Sequence, residues 1–109
     1  MEKLNDFIFL NNLNDFIIEQ KKISRNFYRK WASGTLEIFG SEAPTTSTQE
    51  HQIIFPIEFF NTEYLVFTQY GGRILIYSII IDKQPNSFKV LTSSSTSSLG
   101  NYYAIGRWK

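Results

Sequence analysis

From Arg73 to Ile81 the chain reads Arg-Ile-Leu-Ile-Tyr-Ser-Ile-Ile-Ile, an apolar run from Ile74 to Ile81 interrupted by Ser78. As a β-strand, period-two alternation places Ile74, Ile76 and Ile80 on one face and Leu75, Tyr77, Ile79 and Ile81 on the other. Both faces are apolar, whereas a strand of a small antiparallel sandwich normally keeps one face wet. Left uncovered, such a strand is a template for cross-β stacking. A chain of 109 residues makes one domain and has little spare mass for a second covering layer. A further copy of the same chain is the economical cover, so Leu75, Tyr77, Ile79 and Ile81 are the predicted contact face of a homo-oligomer.

The surrounding sequence also reads as β structure. Short apolar or alternating runs, Asn26–Trp31, Thr35–Phe39, Gln52–Ile57, Tyr64–Tyr70, Phe88–Thr92 and Tyr102–Trp108, are separated by turn signals. Ser33-Gly34 predicts a tight hairpin between the first two. Gly71-Gly72 predicts another between Tyr64–Tyr70 and Arg73–Ile81, since both central positions of such turns can require positive φ. Residues 41–50, with Pro44, form a loop, and 92–98 is a low-complexity Ser/Thr stretch expected to be exposed. Leu4-Asn5-Asp6-Phe7-Ile8 recurs as Leu13-Asn14-Asp15-Phe16-Ile17, which approximates a helical stripe that Asn11-Asn12 interrupts. The expected division is therefore a short N-terminal arm or helix over residues 1–14 and a β domain over 15–109, with Asp15–Glu19 as a strand. The fold class is all-β: a small antiparallel sandwich of about six to seven strands.

Several functions are argued against. With 11 Lys+Arg against 10 Asp+Glu the net charge is +1, which does not suit a nucleic-acid binder that works by neutralising phosphates. The 42% hydrophobic and 17% aromatic content excludes disorder for most of the chain. With no cysteine there is no disulfide framework, thiolate nucleophile or Cys-based zinc site. The opening Met1-Glu2-Lys3-Leu4-Asn5-Asp6 lacks the pattern of a signal peptide, and no apolar run approaches the ~20 residues of a membrane helix, so no membrane insertion is expected. No nucleophile elbow, paired-carboxylate motif or phosphate loop is present, so no enzyme and no cofactor are predicted. The one histidine, His51, reads as a solvated loop-edge residue, against the sharper alternative of a metal shared by symmetry-related copies. Lys21, Lys22, Arg25, Arg29 and Lys30 form a basic run, read as a solvated strand balanced by Glu19 and Glu37 rather than a polyanion contact.

Four ordered motifs resemble one family. Tyr28-Arg29-Lys30-Trp31-Ala32-Ser33-Gly34 with Glu37-Ile38-Phe39-Gly40, the segment Phe55-Pro56-Ile57-Glu58-Phe59-Phe60-Asn61-Thr62-Glu63-Tyr64-Leu65-Val66, then Phe88-Lys89-Val90, and finally Tyr102-Tyr103-Ala104-Ile105-Gly106-Arg107-Trp108-Lys109 are similar to a C-terminal domain of phage tail-fibre and minor structural proteins. Asp15-Phe16-Ile17-Ile18-Glu19-Gln20 resembles the segment that precedes the first of these. Glu63 stands where that family usually carries Pro, so the turn after Asn61 is expected to differ, and Phe60 replaces a commonly small residue.

The resemblance implies a compact sandwich similar to H-type lectins, assembled as a homotrimer at the tip of a tail fibre in the virion. There it would bind a bacterial surface saccharide or polymer alongside the remainder of the fibre. A trimerisation cap and a free-standing lectin are the alternatives, and a depolymerase is a distant third. The resemblance supplies no fixed binding residue. Loops on a rigid scaffold usually carry binding groups, which nominates Tyr70-Gly71-Gly72-Arg73, Lys83-Gln84-Pro85-Asn86 and the 92–101 stretch running into Tyr102. Tyr70 and Arg73 offer an aromatic face and a donor fork for a sugar bearing a phosphate or carboxylate. Tyr102, beside Gly100-Asn101, is expected to be exposed and to join the receptor contact, and Asn101 and the serines of the 92–98 stretch to meet sugar hydroxyls, directly or through water.

Overall fold

The computed structural model describes residues 15–41, 50–70, 78–92 and 100–109. They form eight strands: β1 (Ile17–Ile23), β2 (Asn26–Trp31), β3 (Thr35–Ser41), β4 (Glu50–Ile54), β5 (Leu65–Tyr70), β6 (Ser78–Gln84), β7 (Ser87–Thr92) and β8 (Gly100–Arg107). All pairings are antiparallel. One sheet has the order β1-β2-β3-β8-β5 and the other β4-β7-β6. The chain is a two-sheet antiparallel sandwich, with no helix among the described residues. The arm expected over residues 1–14 lies outside them.

The core is filled from the two inner faces. Leu36, Ile38, Phe88, Val90 and Ala104 are fully buried, and Tyr28, Ile53 and Tyr102 nearly so. Alternation decides this: Ile38 and Ala104 are opposite each other across β3 and β8, with Val66 of β5 next in the same row. Residues 55–64 pass from β4 to β5, and so from one sheet to the other, carrying Phe55, Phe59 and Tyr64 between them. The Phe59 and Tyr64 rings stack at 4.4 Å, and Phe55 meets both edge-on at 5.2 and 5.3 Å. Backbone bonds fix this crossing: Phe55 N donates to Asn86 O, Phe59 N to Pro85 O and Phe60 N to Arg107 O, at 2.7–2.9 Å.

The Ser33-Gly34 hairpin forms as expected. Gly34 adopts φ +105°, and Arg107 reaches across its Cα to donate through Nη2 to Ser33 O at 2.8 Å. A Cβ at Gly34 would lie 2.4 Å from that nitrogen, so only glycine suits both the turn and its lock. Trp108 closes the same corner, its backbone N donating to Gly34 O and its indole to Trp31 O, both at 2.9 Å.

Other expectations need correction. The runs around Gly71-Gly72 do not pair as a hairpin over their described parts, because β5 pairs with β8 and β6 with β7, in different sheets. A glycine pair permits a tight turn but does not choose the partner strand. Gln52–Ile57 stops being a strand at Ile54, since Pro56 cannot donate to a ladder. β1 runs Ile17–Ile23 rather than 15–19. His51 is buried in β4, not solvated; it shares the inward parity of Ile53, and its Nε2 lies 3.5 Å from Thr92 Oγ1. At the turn after Asn61 the Glu63 backbone N–H donates to Asn61 Oδ1 at 2.8 Å, a bond that proline at this position could not make.

Candidate functional site

The outward face of the five-stranded sheet carries an aromatic row. Phe27, Phe39, Tyr103 and Phe67 are direct partners on β2, β3, β8 and β5, so their rings follow one another across the strands. Successive ring centroids lie 5.9, 4.8 and 6.3 Å apart. Phe67, at the edge strand, is 59% exposed.

Two rows flank it. On one side Ser41, Asn101 and Gln69 are partners in sequence across β3, β8 and β5, and both amide residues are exposed. On the other side run Gln20, Arg29, Glu37, Ile105 and Leu65. Glu37 organises the charges there. Its Oε1 accepts the Trp31 indole N–H at 2.7 Å and its Oε2 accepts the Tyr103 hydroxyl at 2.7 Å, with the Arg29 guanidinium 4.0 Å away. Arg29 lies 5.3 Å from the centroids of both Phe27 and Phe39. Burial, reinforced by the Glu37 carboxylate, pushes the Tyr103 phenol up to about 12. Where β5 meets β8, a shallow hollow of about 220 Å³ is lined by Phe67, Thr68, Gln69, Asn101, Tyr102 and Tyr103.

The outward face of the smaller sheet carries aliphatic side chains among charged and amide ones, with Glu50 beside Leu91 and Gln52 beside Lys89. Ile79 (63% exposed) and Leu91 are partners, Ile81 sits opposite Lys89, and Ile54 is exposed at the end of β4. Lys89, between them, has Glu50 at 3.9 Å and Asp82 at 3.8 Å. Ile80 points the other way, onto the core. The alternation expected for this strand therefore holds over 79–81.

The nominated residues are distributed as follows. Asn101 is exposed beside the hollow, and the Tyr70 backbone is opposite Gly100 one step along the same ladder. Arg73, Leu75 and Tyr77 lie outside the described residues, as does 93–99. Tyr102 is not exposed: it is 5% exposed, its ring packs on Phe55 and Phe88, and its hydroxyl donates to Asn26 Oδ1 at 2.6 Å. Burial pushes its phenol far up. Room for that ring comes from Gly40, its partner on β3. The 83–86 turn is taken up structurally, since Lys83 Nζ donates to Tyr64 O and the Tyr64 hydroxyl donates to Gln84 O and Ser87 O at 2.8 Å. Of the basic run, Lys30 pairs with Glu19 at 3.4 Å and Arg29 with Glu37, as their neighbourhood suggested. Sequence reasoning missed Phe27, Phe39, Phe67 and Tyr103 as one surface. Each has the outward parity of its strand, but only the register aligns them.

No protein-family model matches the chain, and no curated protein matches it. Solved structures do. An N-truncated R2-type pyocin tail fibre superposes with a TM-score of 0.64 at 12% sequence identity, over 85% of this chain and 37% of that one. The P. aeruginosa R1 pyocin fibre, comprising its C-terminal residues, gives 0.59 at 13%, over 81% and 27%. An N-truncated R1-type pyocin tail fibre gives 0.58 at 14%, over 88% and 91%.

The fold is tail-fibre-like. At these identities the likeness is one of architecture, and the chain spans about a third of the length of the first two fibres. The tail-fibre-like fold agrees with the resemblance carried by the four sequence motifs. These neighbours are tail fibres rather than enzymes.

Proposed function

We propose that this chain is the receptor-binding tip of a tail fibre on a phage or phage-like particle, recognising a bacterial surface saccharide or polymer. The observation that carries the reading is the fold shared with three structures of R1- and R2-type pyocin tail fibres. In this reading the domain is lectin-like, performs no chemistry and resides in the virion with the remainder of the fibre. It works as a homotrimer in which Ile79 and Ile81, with Leu75 and Tyr77, meet a neighbouring copy. The exposure of Ile79, Leu91 and Ile54 on one face supports that assignment, because apolar patches of this kind are usually covered by protein. Tyr70, Arg73 and Asn101 contact the receptor, while Tyr102 supports Asn101 from the core beneath.

The test is binding of fluorescently labelled protein to a panel of bacteria, before and after periodate oxidation of their surface sugars. Labelling of some strains that periodate abolishes is expected. A stable trimer that labels no cell and no envelope fraction would instead favour a trimerisation cap, the reading for which the aliphatic face alone suffices.

A further inference from the structure

The aromatic row has a geometry that a single hot spot would not need. Four rings on four adjacent strands span about 15 Å at one ring per strand, a spacing set by the ladder itself. That pitch is close to one pyranose per ring in an extended chain. The less polar C–H face of a sugar packs on an aromatic face through the ring quadrupole. Its rim of hydroxyls needs partners that both donate and accept, which amide and hydroxyl side chains do and carboxylates or ammonium groups do not. Ser41, Asn101 and Gln69 supply such partners along one side of the row, with the hollow of about 220 Å³ at its β5–β8 end. On the other side Glu37 holds Trp31 and Tyr103 and lies 4.0 Å from Arg29, whose guanidinium in turn lies over the Phe27 and Phe39 rings, 5.3 Å from each centroid, so Tyr103 and Phe67 are the open end of the row.

We propose that the open end of the row, Tyr103 and Phe67 with Asn101 and Gln69 beside them, is a track for an uncharged stretch of a saccharide chain running across the strands. The tightest contact is at Phe67, Tyr103, Gln69 and Asn101, where the hollow lies. This deepens the receptor-binding reading and rests on it. The division of labour between the two sheets supports it: the aliphatic face suits a protein neighbour, whereas rings flanked by amides suit a sugar. Some of the amide contacts are made through water.

The experiment takes the intact chain and the polysaccharide fraction purified from a bacterium that it labels, and measures affinity by calorimetry, mass by light scattering and melting temperature. Phe67→Ala and Asn101→Ala are each expected to weaken binding about tenfold, with mass and melting temperature unchanged. Lys21→Ala, on β1 and outside the row, should bind within about twofold of the parent. Raising the salt concentration should leave the affinity of the parent nearly unaltered. Parent-like binding by both alanine variants overturns the track while leaving the tail-fibre reading intact. Binding that collapses with salt overturns the assignment of an uncharged ligand. A change of mass in Phe67→Ala overturns the track in favour of an interface between copies. Absence of any binding by the parent removes the receptor-binding reading and the track together.

Discussion

Glu37 on β3 holds the hydroxyl of Tyr103 on β8 at 2.7 Å, and its other oxygen holds the Trp31 indole of β2 at the same distance. One half-buried carboxylate thus ties together three neighbouring strands on the outward face. Charge-assisted bonds of this kind are stronger than neutral ones. Replacing Glu37 by Ala leaves two donors without their acceptor and should cost about 2–3 kcal/mol in urea unfolding. Glu37→Gln, which keeps an acceptor, should cost about half of that. Equal stability of Glu37→Ala and the parent would show that the cluster is an idle surface contact.

Stability should fall in alkali. Burial pushes Tyr64 and Tyr103 up to about 12, above the value of 10.0 that they return to in the unfolded chain. Folding therefore favours the protonated phenols. Their contribution is fully present below about pH 10 and is lost as pH rises toward 12. Melting temperature measured from pH 8 to 11.5 should be level at first and then decline, with a shallower decline in Tyr64→Phe than in the parent. An identical pH profile for the two proteins would contradict this.

Gly40→Ala should be destabilising by about 1–3 kcal/mol. A Cβ there would lie 2.3 Å from Asn26 Oδ1 and 2.5 Å from the Tyr102 ring, so it would disturb both partners of the Tyr102–Asn26 bond. Pairing it with Tyr102→Phe separates crowding from lost hydrogen bonding. If Gly40→Ala melts like the parent, the ring does not depend on that gap.

The proposed assembly predicts a solution mass of three chains at micromolar concentration. Ile79→Lys combined with Ile81→Lys should give monomer or aggregate, because two charges on the aliphatic face would have to be desolvated. A monomeric mass for the parent would end the trimer reading.

The sequence carried the strands better than their partners. Alternation located β2, β3 and β7 to within a residue or two, and Pro and Gly marked the corners. His51 was misread although its parity with Ile53 and Phe55 was available, because a lone histidine next to Glu50 looks polar in one dimension. Tyr102 was beyond local reading. Two adjacent tyrosines offer either face, and what decides between them is Gly40, more than sixty residues earlier. The change of sheet between β5 and β6 was hidden for the same reason: a Gly-Gly pair constrains the bend, not the destination. The aromatic row needed the register of four strands that are far apart in the chain.

Among the described residues β1 pairs only with β2, and none of its residues is buried. Opening it would break one ladder of backbone bonds and release no core, so its amide protons should exchange long before those of β3 or β8. Its side chains are accordingly almost free to drift in evolution, provided that Lys21 and Lys22 continue to discourage a foreign strand from docking along that border. β1 is thus a margin where composition can be rewritten without endangering the domain behind it.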